Sequence, residues 1–217
     1  MKFLALLRGQ LGGIIGTGIG QIILILGCGY FAVTAATQFE RFSENFGSAS
    51  SPLSGVGPLL IFASILCGSI LGLQFWLMSY RRTWHFLLHR SVSRVTILLS
   101  MITAAVLTLV VFTGGCWTLL FLYASLPGLF VLPPTLQVYF EGWLFISLGL
   151  VFFMGVALSG ISTAKFYTTK LFGIIFAGII LIVTFMSLDI FRASIVIAAG
   201  ILIPAVQLFS VFLNRDF

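Results

Sequence analysis

The sequence predicts an all-α, polytopic membrane protein. It has six transmembrane helices and a short cytoplasmic amphipathic helix between the second and third, in a single transmembrane domain over residues 1–217. Composition is the first reason. Of 217 residues, 60% are hydrophobic and 7% are charged, and the mean hydropathy is +1.20. Soluble domains carry about 25% charged residues, so this chain could not cover its surface in water. The second reason is run length, because a bilayer core takes about 20 apolar residues of helix. The third is the sorting of basic residues between alternate connections. The same numbers exclude a disordered chain and a soluble enzyme. They also exclude a nucleic-acid-binding domain despite the net charge of +6, since the eleven basic residues form no stripe.

The elements follow in order. Residues 1–10 read as an interfacial segment interrupted by Arg8 and Gln10. The apolar run then continues to about residue 36, too long for a signal-peptide core, so a first span at 11–37 is expected to be retained. A polar stretch with Glu40, Arg41 and Glu44 leads to the second span, 58–78. Residues 79–94 are the most charged part of the chain. The third run, 95–126, exceeds one untilted span and contains Gly114-Gly115, so it is expected to bend or partly re-enter there. Pro127, Gly128, Pro133 and Pro134 mark a loop before the fourth span, 140–161. A basic connection at 162–170 precedes the fifth, 171–188. A tight turn at 189–192, where an Asp189–Arg192 ion pair is expected, leads into the sixth, 193–213.

With the N-terminus inside, nine basic residues fall on the inner side: Lys2, Arg8, Arg81, Arg82, Arg90, Arg94, Lys165, Lys170 and Arg215. Arg41 and Arg192 fall outside, together with Glu40, Glu44, Glu141 and Asp189. Dividing the third run into two spans would move Lys165 and Lys170 outside and spoil the sorting. The expected location is therefore a cytoplasmic (inner) membrane of bacterial type, with both termini cytoplasmic.

Small residues mark places where helices can approach closely. Gly12, Gly16 and Gly20 share one face of the first span, and Gly68 and Gly72 one face of the second. These faces suit packing within one subunit or between subunits. Cys28, Cys67 and Cys116 are isolated within apolar runs and read as small buried residues. No ionisable residue sits mid-span, which argues against a proton-coupled carrier acting alone and against an intramembrane protease. There is no GxxxxGK[ST] loop for ATP. His85 and His89 are four apart, but basic residues surround them and no acid completes a metal site. No metal, cofactor or catalytic residue is therefore expected.

Residues 80–94 read YRRTWHFLLHRSVSR. Trp84, Leu87, Leu88 and Val92 fall on one helical face, while Arg82, His85, His89 and Arg90 lie largely elsewhere. This is the pattern of a short helix lying on a membrane surface. The run R-T-W-x-F-L-L-x-R-x-V-S-R, from Arg82 to Arg94, also resembles the cytoplasmic segment that follows the second span in ABC-2-type transporter permeases. In that family it is commonly written L-L-x-x-P-V-S-R. Here Ser91 stands in place of the proline, and Tyr80-Arg81-Arg82 in place of an acidic residue ahead of the motif. Residues 164–170, A-K-F-Y-T-T-K, resemble the connection between spans four and five in some of these permeases.

The resemblance implies a permease domain over the whole chain and an exporter's transmembrane subunit. A separate ABC ATPase subunit would hydrolyse the ATP, and a second permease subunit would complete the assembly as a homo- or heterodimer. The implied coupling helix comprises Arg82, Thr83, Trp84, Phe86, Leu87, Leu88, Arg90, Val92, Ser93 and Arg94. Trp84, Phe86, Leu87 and Leu88 would fill an ATPase groove, and the arginines would meet an acidic rim or anionic membrane lipids. Two readings from other classes stand beside it: a non-transporting scaffold of a larger membrane complex, and a lipid-acting enzyme, which lacks the acids it would need.

Overall fold

The computed structural model describes residues 57–80, 93–125, 135–162, 170–187 and 189–214. The expected first span, its Gly12, Gly16 and Gly20, and motif residues 82–92 lie outside the described residues. We number the helices α1 (Gly57–Tyr80), α2 (Arg94–Thr108), α3 (Gly115–Ala124), α4 (Leu136–Ile161), α5 (Phe172–Met186) and α6 (Ile190–Asn214). A π-helical segment, Leu109–Gly114, joins α2 to α3. The described residues contain no strand.

Among the described residues four stretches are long and apolar enough to cross a bilayer: Gly57–Met78, Arg94–Ala124, Leu136–Ile161 and Ile190–Asn214. The outward faces are apolar as well, with Phe62, Leu119, Phe191 and Val206 each more than half exposed. Such a surface is stable against lipid and not against water. The chain is a helical, multi-pass membrane protein. Helix α5 is different: its 15 residues reach about 22 Å at ~1.5 Å per residue, less than a ~30 Å hydrocarbon core.

Lipid tails are as apolar as leucine, so close packing has to hold the helices together. Here α4 is the centre. Its run from Phe153 to Ile161 is buried on all sides, and α1, α3 and α5 each meet α4 at a glycine. On α1, Gly68 abuts the Gly149 backbone, and a methyl group on Gly72 would lie 2.7 Å from Val156 Cβ and 2.9 Å from Phe153 O. Further along, the Trp76 ring seats on Gly160. Gly173 of α5 meets the Gly155 backbone, and Trp117 of α3 covers Gly142. These pairings rise together along α1 and α4, from Gly57 beside Phe145 to Trp76 at Gly160, so the two helices run parallel. Helices α3 and α5 run antiparallel to α4. Helix α6 buries a stripe of Ala193, Ile197, Gly200, Pro204, Leu208 and Phe212, spaced three and four apart as one helical face demands.

The third run is continuous, 31 residues from Arg94 to Ala124, and does not break at the glycine pair. Its irregularity is the wide turn Leu109–Gly114, which ends at that pair. Gly115 N–H donates to Val110 O, five residues back. Leu109, Thr113 and Trp117 are all buried, and a face repeating every four residues precesses in a regular α-helix. The π turn takes up that drift. Gly114 then leaves room for the Trp143 ring, which a methyl group there would meet at 2.5 Å.

Gly149→Leu should therefore destabilise the bundle by at least ~2–3 kcal/mol, because backbone rather than a movable side chain opposes it. Nothing lies within 4 Å of an added Cβ at Gly178, so Gly178→Ala should stay within ~1 kcal/mol of the parent. Unfolding midpoints in mixed detergent measure both; equal effects would disprove the notched-helix packing.

Candidate functional site

The last two motif residues, Ser93 and Arg94, are described, and each has a defined task. Ser93 has extended backbone, φ −66° and ψ 145°, and its Oγ accepts from Thr96 N at 3.2 Å. It is the N-cap of α2 and satisfies one of the free amides of the first turn. Arg94 reaches across to α6, where its guanidinium donates to Leu213 O at 3.2 Å. A cation on the last carbonyls of a helix also meets the negative end of its dipole. The motif is thus tied to two helices at its C-terminal end.

The same end of the bundle carries a cavity of about 290 Å³ between the C-terminal ends of α4 and α6 and the start of α5. Its polar lining is Ser162, Lys170, Gln207 and Ser210, and Leu158 and Phe172 contribute apolar wall. Lys170 is half-buried. Its Nζ stands 5.3 Å from the centroid of the Trp76 ring, within cation–π reach. The ring is itself fixed: Trp76 Nε1 donates to Val156 O at 3.0 Å, and Gly160 supplies its seat.

At the opposite end a second cavity, about 220 Å³, lies between the start of α4, the end of α5 and the start of α6. It is lined by Glu141, Thr184, Ser187 and Asp189 among others. Gln137 donates to Glu141 Oε1 at 3.1 Å. Asp189 Oδ1 accepts from Phe191 N at 3.3 Å, an N-cap on α6. This corrects the expected ion pair: among the described residues none joins Asp189 to Arg192. An aromatic group, Phe121, Tyr139 and Trp143, flanks this end, with Phe121 and Tyr139 centroids 4.9 Å apart. Trp117 donates to Tyr139 O at 3.1 Å.

The charged side chains among the described residues, Arg94, Glu141, Lys170, Asp189 and Arg192, all stand near helix ends. No group of three or more His, Cys, Asp or Glu comes together among the described residues. Cys67 is buried and Cys116 half-buried, both as free thiols. Gly68 and Gly72 pack on α4 of the same chain. Sequence reasoning did not find the cavity around Lys170. Lys170 closes a connection noted for its pattern, but Trp76, Gln207 and Ser210 come from distant runs that carry no shared local signal.

Arg94→Ala should fray the end of α6 by about 1 kcal/mol, the worth of one capping hydrogen bond. Hydrogen exchange should rise at residues 209–214 and stay unchanged in α1; uniform exchange would show that Arg94 does not hold α6. No protein-family model, characterised protein or solved structure matches this chain.

Proposed function

We propose that the chain is the transmembrane permease subunit of an ABC-type exporter of the ABC-2 class. In this reading it has six spans, with the first at residues 11–37, and both termini in the cytoplasm. Residues 82–94 are the amphipathic coupling segment, and the last two, Ser93 and Arg94, cap and open the spanning helix α2. Two permeases pair with two separate ATPase subunits. The observation that carries the reading is the motif at 82–94, supported by the double anchorage of its end, Ser93 on α2 and Arg94 on α6.

Mechanically the arrangement suits transmission. ATP binding brings the two ATPases together and displaces the coupling helix, with Trp84, Phe86, Leu87 and Leu88 seated in the ATPase. The displacement passes into α2 through the Ser93 cap and into α6 through Arg94. Both helices share a buried cluster with α4, where Ile97 and Met101 of α2 and Leu208 and Phe212 of α6 join Phe153 and Ala157. The chain needs no catalytic residue of its own. The charge sorting supports the orientation: Arg94 and Lys170 lie at one end, and Glu141 and Asp189 at the other.

An ATP-binding subunit should co-purify with the gently solubilised chain and be lost from a Trp84→Ala, Leu88→Ala double variant that keeps its unfolding midpoint. A stable complex without any ATPase, unaffected by the double variant, would favour the scaffold reading. Single cysteines placed at 170 and 189, in a chain whose own cysteines are replaced by alanine, should label from opposite membrane faces, 170 from the cytoplasm. Labelling of both from one face would overturn the orientation.

A further inference from the structure

We propose that the cavity at Lys170 is a binding site for the phosphate headgroup of an anionic phospholipid. The inference stands apart from the transport reading and would hold for a scaffold as well. Three features of the cavity point to it. The first is its position, at a helix-end level of the bundle where headgroups lie, opening between α4, α5 and α6. The second is its chemistry. Lys170 supplies one positive charge, and Gln207 and Ser210 supply neutral donors on one side of α6. Within the described residues the carboxylates, Glu141 and Asp189, belong to the other end of the molecule, so none there neutralises Lys170. A half-buried lysine lining one cavity with two neutral donors, and with no acid beside it among the described residues, suits a phosphate oxygen better than a zwitterionic or cationic group.

The third feature is how the lysine is held. A lysine at a membrane surface ordinarily extends into water. This one is drawn over the Trp76 face at 5.3 Å, and Trp76 is fixed by its bond to Val156 O and its seat on Gly160. The charge is therefore presented at one place beside the cavity. Leu158, Phe172 and Val211 complete the lining, and Phe172 is 48% exposed on the lipid side. A ligand with a phosphate head and an apolar body matches that sequence of surfaces. Soluble phosphate matches the polar part alone. Asp216 follows α6 in sequence and lies outside the described residues, so its carboxylate is the internal competitor to be tested.

The purified full-length chain, in detergent, would be titrated with phosphatidylglycerol and separately with phosphatidylcholine, and adducts read by native mass spectrometry. Phosphatidylglycerol should bind the tighter. Lys170→Gln should weaken it about tenfold, the value of one charge-assisted hydrogen bond, while Lys170→Arg should largely retain it. Lys165→Gln, a cation of the same connection, should change it less than twofold. Equal binding of the two lipids, or equal loss in Lys165→Gln and Lys170→Gln, would overturn the proposal. So would millimolar inorganic phosphate displacing the lipid, which would assign the site to soluble phosphate. Binding seen in Asp216→Asn and absent from the parent would show that the chain's own carboxylate fills the cavity.

Discussion

The backbone-to-backbone approach of α1 and α5 to α4 is the constraint on which the rest of the fold depends. Gly68 against Gly149, and Gly155 against Gly173, bring main chains together where no side chain could stand between them. In water such contacts would add to a hydrophobic driving force. In a bilayer that force is largely absent between helices, and dispersion across close surfaces must replace it. The glycines of α4 are therefore specific seats. Gly142 takes an indole from α3, Gly149 a backbone from α1, Gly155 a backbone from α5, and Gly160 a second indole from α1. Once the four seats are filled, the relative heights of α1, α3, α4 and α5 are set.

The polar groups obey the same geometry. Most buried hydroxyls return to their own helix, as Ser64 does to Leu60 O, Thr108 to Ala104 O and Thr184 to Ile180 O, each at 2.7 Å. Two do not. Thr113 Oγ1, in the π turn, faces the Cys67 thiol of α1, a weak partner, instead of a carbonyl of its own helix, and Ser159 Oγ, beside Gly173 at the α4–α5 crossing, is buried with no hydrogen-bond partner. Both mark places where packing sets the local structure against the usual preference of a hydroxyl in an apolar medium. At Thr113 it is the wide turn that keeps Leu109, Thr113 and Trp117 facing inward. At Ser159 it is the backbone contact of the next helix.

Much of the topology was legible because apolar runs and breaks are local. The runs at 58–78 and 193–213 correspond to Gly57–Tyr80 and Ile190–Asn214. The extra turn at the start of α6 comes from the Asp189 cap, which a reading of hydropathy treats as loop. Helix α4 likewise begins four residues before the expected 140, because Gln137 and Glu141 bond along the helix and look polar in sequence. Gly68 and Gly72 were visible as a face, but their partners were not. Gly149 and Gly155 are six apart and form no repeat with them; they serve two different neighbours. The Lys170 cavity was illegible for the same reason. It needs the end of α1 to cross α4 at Gly160, and nothing near Trp76 in the chain announces that crossing.

Helix length connects the two cavities. Helices α4 and α6 have 26 and 25 residues, whereas α5, which lies against both, has 15. At ~1.5 Å per residue α5 falls about 15 Å short of its neighbours. Gly173 fixes its height against Gly155, so the shortfall is divided between its ends. One cavity opens beside Phe172 and Gly173, the other beside Thr184 and Phe185. Each is the cleft between α4 and α6 that a full-length helix would have covered. A bare cleft between apolar helices would be filled by lipid tails. These two instead carry side chains suited to the interface, Lys170 and Gln207 at one end and Glu141 and Asp189 at the other. A short helix placed by one glycine contact thus produces two polar recesses of opposite charge in a bundle whose described residues bury no charged side chain.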